Sequence, residues 1–204
     1  QSLQELNLNI FKQDYKPIDL VLQPLTVLSR LQRLTIKGGC LEEPESCVPD
    51  FKHWPHLNHL RLCVMTVKMA HQILAAVPTP QLKKLHLKVE ECTPGRLGMF
   101  EGLEYADWSN LKSLKMHFVD FVIHSDMLKR FHGLTKLSVK RVSDGALLSS
   151  LLLEVLNPDV HTELQTLRYN DMSRESPQWL SLSLLEKLRM WPNLVEFPDC
   201  DDEQ

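Results

Sequence analysis

Leucines recur along the chain in the pattern L-x-x-L-x-L, with Ile, Met, Val, Tyr or Phe standing in at some positions. The phrase opens at Leu3, Leu31, Leu57, Leu82, Leu111, Leu134, Leu164 and Leu194, at intervals of 28, 26, 25, 29, 23, 30 and 30 residues. Self-similarity at that period predicts a repeat solenoid, because one strand and its return segment cannot bury their leucines alone whereas stacked copies can. The middle and last leucines of each phrase lie two residues apart, which is strand spacing. The residues flanking the middle leucine therefore point to the opposite face.

The segments between phrases carry helix signals of uneven strength. After the first phrase, Ile18, Leu22, Leu25 and Leu28 have helical spacing, but Pro24 confines that stretch to short turns. The second phrase runs into Gly38, Gly39 and an acidic, proline-broken loop over 41–55, so little helix is expected there. After the third, Thr66 is an N-cap for a helix that turns Met69, Ile73, Leu74 and Val77 inward and stops at Pro78 and Pro80. Short helices are expected near 96–106, over 126–132 with Ser125 as cap and Gly133 as terminator, and from Ser143 to Asn157. A last one runs from the Ser176-Pro177 start to about Arg189. The eighth phrase is abbreviated to Leu194 and Phe197, with Glu196, Pro198 and Cys200 as its outward positions.

The expected fold is α/β: a right-handed solenoid with an inner parallel sheet of about eight short strands and outer helices. Because helices are wider than the roughly 4.8 Å between strands, the stack curves into a horseshoe with the strands inside. One domain spans 1–198, and 199–204 is an acidic, frayed tail. The chain opens at Gln1-Ser2 with neither Met nor a capping element, which points to the trimmed end of a longer polypeptide.

The eight phrases resemble the leucine-rich-repeat superfamily over essentially the whole length. The Asn or Cys usual after the strand is missing from most repeats, where Phe11, Gly39, Met65, Glu90, Val119 and Val142 stand. Irregular, helix-bearing repeats of this kind look most like the intracellular ribonuclease-inhibitor-like class and the repeat domains of F-box proteins. The second resemblance implies a role in selecting substrates for ubiquitin transfer.

Composition adds a compartment and removes some function classes. The 204 residues are 43% apolar and 24% charged with a net charge of -3, so overall charge does not call for a nucleic acid or membrane partner. Five cysteines in no paired spacing, and no N-x-S/T sequon at any of the seven asparagines, suit an intracellular, reducing location, cytoplasmic or nuclear. No apolar run is long enough to span a bilayer, and no membrane insertion is expected.

The charge is unevenly distributed. Positions two, four and six after the opening leucine in repeats two to seven are Arg33, Thr35, Lys37, His59, Arg61, Cys63, Lys84, His86, Lys88, Ser113, Lys115, His117, Lys136, Ser138, Lys140, Thr166, Arg168 and Asn170. Nine of these eighteen are Lys or Arg, three are His and none is Asp or Glu, whereas the chain average of 23 basic residues in 204 would put about two there. Strand lysines also discourage edge pairing, but that does not account for the missing Glu, Asp and Gln. Gathered like charge costs stability and focuses potential toward an opposite partner.

The expected function is a non-catalytic interaction module whose concave face holds an acidic or phosphorylated protein segment. The binding residues are Arg33, Lys37, Arg61, Lys84, His86, Lys88, Lys115, Lys136, Lys140 and Arg168. Nucleic acid or inositol phosphate binding on the same face is one alternative; scaffolding through the helices or the 41–55 loop is another. His53, His56 and His59 after Cys47 are spaced by three, but a loop-to-strand segment does not put them on one face, and Cys40 and Cys47 lack C-x-x-C pairing. No metal or cofactor is expected. Cys63 has basic neighbours but no histidine-acid arrangement beside it, and no phosphate-cradling glycine loop, G-x-S-x-G or H-E-x-x-H occurs, so no enzyme chemistry is indicated.

Overall fold

Strands form where the leucine phrases place them. In the computed structural model, which describes residues 3–10, 23–38, 54–77, 79–91, 106–118, 130–141, 152, 156–171, 186–191 and 194–198, these are β1 Glu5–Ile10, β2 Arg33–Gly38, β3 His59–Thr66, β4 Lys84–Glu91, β5 Ser113–Phe118, β6 Lys136–Arg141, β7 Thr166–Asp171 and β8 Val195–Pro198. All eight lie in one sheet in chain order, and every neighbouring pair is parallel. The chain thus returns to the same edge before each new strand, which makes it a solenoid.

The register turns each phrase position into a row. Leu6, Leu34, Leu60, Leu85, Leu114, Leu137 and Leu167 are directly paired across seven strands, and Leu8, Ile36, Leu62, Leu87, Met116 and Val139 form the next row. From β2 onward both rows are buried, as are the opening leucines Leu31, Leu57, Leu82, Leu111, Leu134 and Leu164. On β1, which has a neighbour on one side only, Leu6 and Leu8 are partly buried and Leu3 is 46% exposed.

A repeated turn delivers each opening leucine. Its N–H donates to the carbonyl three residues earlier, from Leu31 to Leu28 and onward through Leu57–Trp54, Leu82–Thr79, Leu111–Trp108, Leu134–Phe131, Leu164–His161 and Leu194–Trp191, at 3.0–3.1 Å. Trp54, Trp108, Phe131 and Trp191 are buried at these equivalent positions. Trp108 and Phe131 meet edge to face with centroids 5.4 Å apart, a preferred aromatic geometry. The Trp54 indole donates to the Leu25 carbonyl at 2.9 Å, and that of Trp191 to the His161 carbonyl at 2.7 Å. Trp54 and Trp191, each followed by a proline, therefore pack and bond at the turn into the strand.

The leading edge is bonded just as regularly. The carbonyl of Asn58 accepts from both Lys83 and Lys84, that of Lys83 from Lys112 and Ser113, and that of Lys112 from Thr135 and Lys136, at 2.9–3.1 Å. Each strand is locked to its predecessor before the leucine rows begin, so the outward side chains inherit the same register.

One α-helix longer than a turn occurs among the described residues: α1, Val67–Ala76, directly after Thr66 and before Pro78. It buries Met69, Ile73 and Leu74, as the helical spacing predicts, together with Ala70, and Val77 is buried just past its end. The Pro24 segment is a 3-10 turn over Gln23–Val27, and 186–188 are helical where the last predicted helix ends. The helix near 96–106, the Ser125, Ser143 and Ser176 starts, most of the 41–55 loop and the 199–204 tail lie wholly or largely outside the described residues.

Two expectations are corrected. No helix reaches His132: residues 131–133 belong to the turn into β6. Gly133 is there because a Cβ would come within 2.5 Å of the Ser109 carbonyl oxygen of the preceding repeat, a close approach rather than a left-handed cap. Gly38, with φ of 101°, is the left-handed position, and its missing Cβ would collide with the Ile10 carbonyl. The eighth repeat is also out of step. Val195 pairs with Thr166, Glu196 with Leu167 and Phe197 with Arg168, so the positions expected outward at 196 and 198 fall in line with the leucine rows. One residue fewer separates turn from strand, and a one-residue slip exchanges the faces.

Candidate functional site: the polar face of the sheet

Alternation along each strand sends one set of side chains into the leucine core and the other away from it. Parallel in-register pairing then lines the outward set into three columns running across the strands. The first is Glu5, Arg33, His59, Lys84, Ser113, Lys136, Thr166; the second Asn7, Thr35, Arg61, His86, Lys115, Ser138, Arg168; the third Asn9, Lys37, Cys63, Lys88, His117, Lys140, Asn170. All ten residues expected to bind a partner lie in these columns.

Within the columns the cations form a checkerboard. Strands β2, β4 and β6 carry theirs in the first and third columns (Arg33 and Lys37, Lys84 and Lys88, Lys136 and Lys140), whereas β3, β5 and β7 carry theirs in the second (Arg61, Lys115, Arg168). Every cation has a neutral residue beside it on each strand from β2 to β7. At standard spacings the nearest cations are diagonal neighbours about 8 Å apart, against about 4.8 Å if they stood side by side. In a water-like dielectric that lowers pairwise repulsion from about 0.9 to about 0.5 kcal/mol. It also sets the spacing near the Debye length of about 8 Å at physiological salt. The face thus carries nine cations with the repulsion between them held down.

Exposure divides these residues. Arg33, Lys37, Lys84, Lys136 and Arg168 are exposed; Arg61, His86, Lys88 and Lys115 are half-buried. Lys140 is only 6% exposed, so it contributes charge from beneath the surface rather than a head group that reaches out, and its expected contact role is corrected accordingly. Arg33 is also offset, with its guanidinium 3.6 Å from the Glu5 carboxylate. Between exposed groups such a pair is worth little, but it closes the positive field on the β1 side. Lys112 and Glu163, 2.8 Å apart, pair along the leading edge rather than within the columns.

The histidines stand between the cations. His59, His86 and His117 form a diagonal between the cation diagonals Arg33–Arg61–Lys88 and Lys84–Lys115–Lys140. Burial, then the charges of Arg61 and Lys115 beside it, push the His86 imidazole down to about 3. Burial, followed by Lys84 and Arg33, also lowers His59. An imidazole held neutral can still donate and accept hydrogen bonds. Arg61 Nε is buried and has no hydrogen-bond partner among the described residues.

Other chemistry is sparse here. Cys63 is a free, half-buried thiol between Lys37 and Lys88. His56 is exposed in the turn before β3 while His59 sits in the first column, so the two do not converge; His53 lies outside the described residues. No group of three or more potential metal ligands occurs among the described residues. No helix among them is long and apolar enough to cross a membrane.

Tabulating the outward residues shows their composition, but the alternation emerges only when the phrases are stacked in register. The signal was present as the offset between odd and even repeats. The row at Trp54, Trp108, Phe131, His161 and Trp191 has no residue type common to all its members, since Phe131 and His161 interrupt the tryptophans, and it emerges only from the repeated turn bonds. The fold and face define a parallel-sheet repeat solenoid with one strongly cationic surface. No protein-family model matches the chain, and no curated protein matches it.

Proposed function

We propose that the chain is a non-catalytic interaction module of leucine-rich-repeat type, a right-handed horseshoe with outer helices, whose concave basic face holds an acidic or phosphorylated protein segment. The observation that carries this reading is the checkerboard of nine cations, with Glu5 the one carboxylate in the three columns of β1–β7. A sheet face needs no such concentration to fold, and like charges on neighbouring strands work against it. Exposed Lys84, Lys136 and Arg168 make first contact, while half-buried Arg61, Lys88 and Lys115 supply charge with little side-chain freedom left to lose. Aromatic side chains are absent from the described outward sites of β1–β7, which disfavours stacking of nucleic acid bases and places that reading second. Resemblance to F-box repeat domains extends the proposal to substrate selection for ubiquitin transfer; that extension rests on likeness of fold alone.

A salt series tests the choice of partner. Labelled acidic and phosphoserine peptides should retain sequence-dependent binding at high salt, whereas an oligonucleotide held by its backbone weakens steeply and uniformly. Replacing Lys84 and Lys115 together by Glu should abolish peptide binding while stability changes by no more than about 1 kcal/mol, as for surface sites. Unchanged peptide affinity in that double variant removes the basic face from the function.

A further inference from the structure

The checkerboard has holes, and two of them are ringed completely. His86 has Arg61 and Lys115 beside it on the neighbouring strands and Lys84 and Lys88 before and after it on its own. Ser138 has Lys115 and Arg168 beside it and Lys136 and Lys140 along its strand. Every other neutral position of β2–β7 lies at the end of its strand's outward set, or beside an uncharged neighbour, and touches fewer cations. Each ringed hole places a neutral hydrogen-bonding side chain at the centre of four positive charges. The lateral pair is about 4.8 Å away and the axial pair about 6.6 Å at standard strand geometry; lysine and arginine side chains span such distances when they converge on one group, except that Lys140 at the second hole is buried and does not reach out.

Resting on the reading of the face as a site for an acidic or phosphorylated segment, we propose that its anchors are two phosphoryl-group sites, over His86 and over Ser138, and that the partner is an extended peptide with phosphorylated residues three positions apart. Charge favours the phosphoryl group. A carboxylate brings one negative charge to a ring of four cations, whereas a phosphoryl group brings between 1.5 and 2 charges and three acceptor oxygens. Those oxygens suit the Arg61 donor, the His86 ring and the ammonium groups of Lys84 and Lys115.

Spacing fixes the partner's shape. The two holes lie in one column, two strands apart, about 9.6 Å. In a polyproline-II peptide, residues three apart share a face and are separated by about 9.3 Å. In a fully extended strand, residues three apart point to opposite sides, so the match selects the threefold helix laid across the strands. The first hole is the better formed, with Lys84 exposed and Arg61, Lys88 and Lys115 half-buried. The second is shallower, because its Lys140 is 6% exposed. Lys115 walls both.

The His86 site also carries a built-in reporter. The titratable groups around the imidazole are His59, Arg61 and Cys63 on β3, Lys115 and His117 on β5, and Lys84 and Lys88 on its own strand. These neighbours bring positive charge or none, so a bound dianion is the change that moves the ring back toward its ordinary value.

Fluorescence anisotropy with the 204-residue chain and short labelled proline-containing peptides, phosphorylated at serines i and i+3, at i and i+2, or at one serine, tests this. The i,i+3 peptide should bind at least about tenfold tighter than the others, as two linked contacts require. Lys84→Gln and Lys136→Gln should each reduce it to the affinity of the singly phosphorylated peptide, while Lys83→Gln on the leading edge leaves it unchanged. An NMR titration should show the His86 ring gaining a proton at higher pH in the i,i+3 complex than in the free protein. Equal binding of the i,i+3 and i,i+2 peptides overturns the two-site inference and leaves the broader reading standing. Binding of a single-stranded oligonucleotide with no binding of any phosphopeptide overturns both.

Discussion

On the inner face of the sheet Leu34, Leu60, Leu85, Leu114, Leu137 and Leu167 stand side by side across six strands, whereas on the outer face no cation of β2–β7 has another cation directly beside it. Identity suits an apolar row, because each leucine fills the space its neighbour leaves and attraction between them adds up over the stack. Repetition of charge does the opposite, since repulsion adds up too. One backbone register therefore serves two opposite rules, sameness inside and alternation outside. Only the outer rule is unnecessary for folding. Gathering like charge on the outer face costs stability even when alternation limits the repulsion, and that asymmetry points to function there.

The largest effect should come from breaking the inner row. Leu85 is 1% exposed and paired with Leu60 and Leu114 on either side. Leu85→Ala should cost about 2 to 5 kcal/mol in chemical denaturation, through lost transfer energy and the cavity left behind. Leu6→Ala, the same row position on the end strand and only partly buried, should cost clearly less. Equal costs would mean that burial does not grade from the end of the stack to its middle.

The core was readable from the linear chain because periodicity of two within a phrase and of about 27 between phrases are both local patterns. Seven strands lie where those patterns place their outward and inward residues. The eighth slipped because one residue fewer after Trp191 is invisible until the turn bond to Leu194 and the pairing of Val195 with Thr166 are both known. Gly133 was misassigned for a related reason. Its need for space comes from Ser109, one repeat away, and a contact across repeats leaves no mark on neighbouring residues. All ten residues expected at the site do fall on one face, yet the exposure of Lys140 and the neutral state of His86 depend on surroundings that alternation cannot report.

A smaller effect should appear with pH. The His86 imidazole titrates at about 3 in the fold but near 6.5 when unfolded, so between those values the unfolded chain binds a proton that the fold excludes. Its contribution to stability is full above about pH 6.5, falls as the pH drops, and is gone by about pH 3. Between pH 7 and 5 this amounts to at most about 2 kcal/mol. His86→Gln, which keeps a neutral hydrogen-bonding side chain, should lose less stability over that interval than the parent chain. Parallel pH profiles for the two would show that neither burial nor the cations around His86 lower its imidazole.

The smallest and most direct test addresses alternation itself. Ser138 lies between Lys115 and Arg168 across the strands and between Lys136 and Lys140 along its own. Ser138→Lys would fill that hole with a fifth positive charge. Because lateral neighbours are about 4.8 Å apart at the backbone, the new lysine should destabilise the fold by up to about 1 kcal/mol at low salt. Ser138→Met, a neutral chain of similar length, separates charge from bulk. The difference between the two variants should shrink in 1 M salt, where the Debye length falls to about 3 Å. A difference that is absent, or that salt leaves untouched, would mean the spacing of cations on this face relieves no repulsion, and the checkerboard would lose its physical reason for existing.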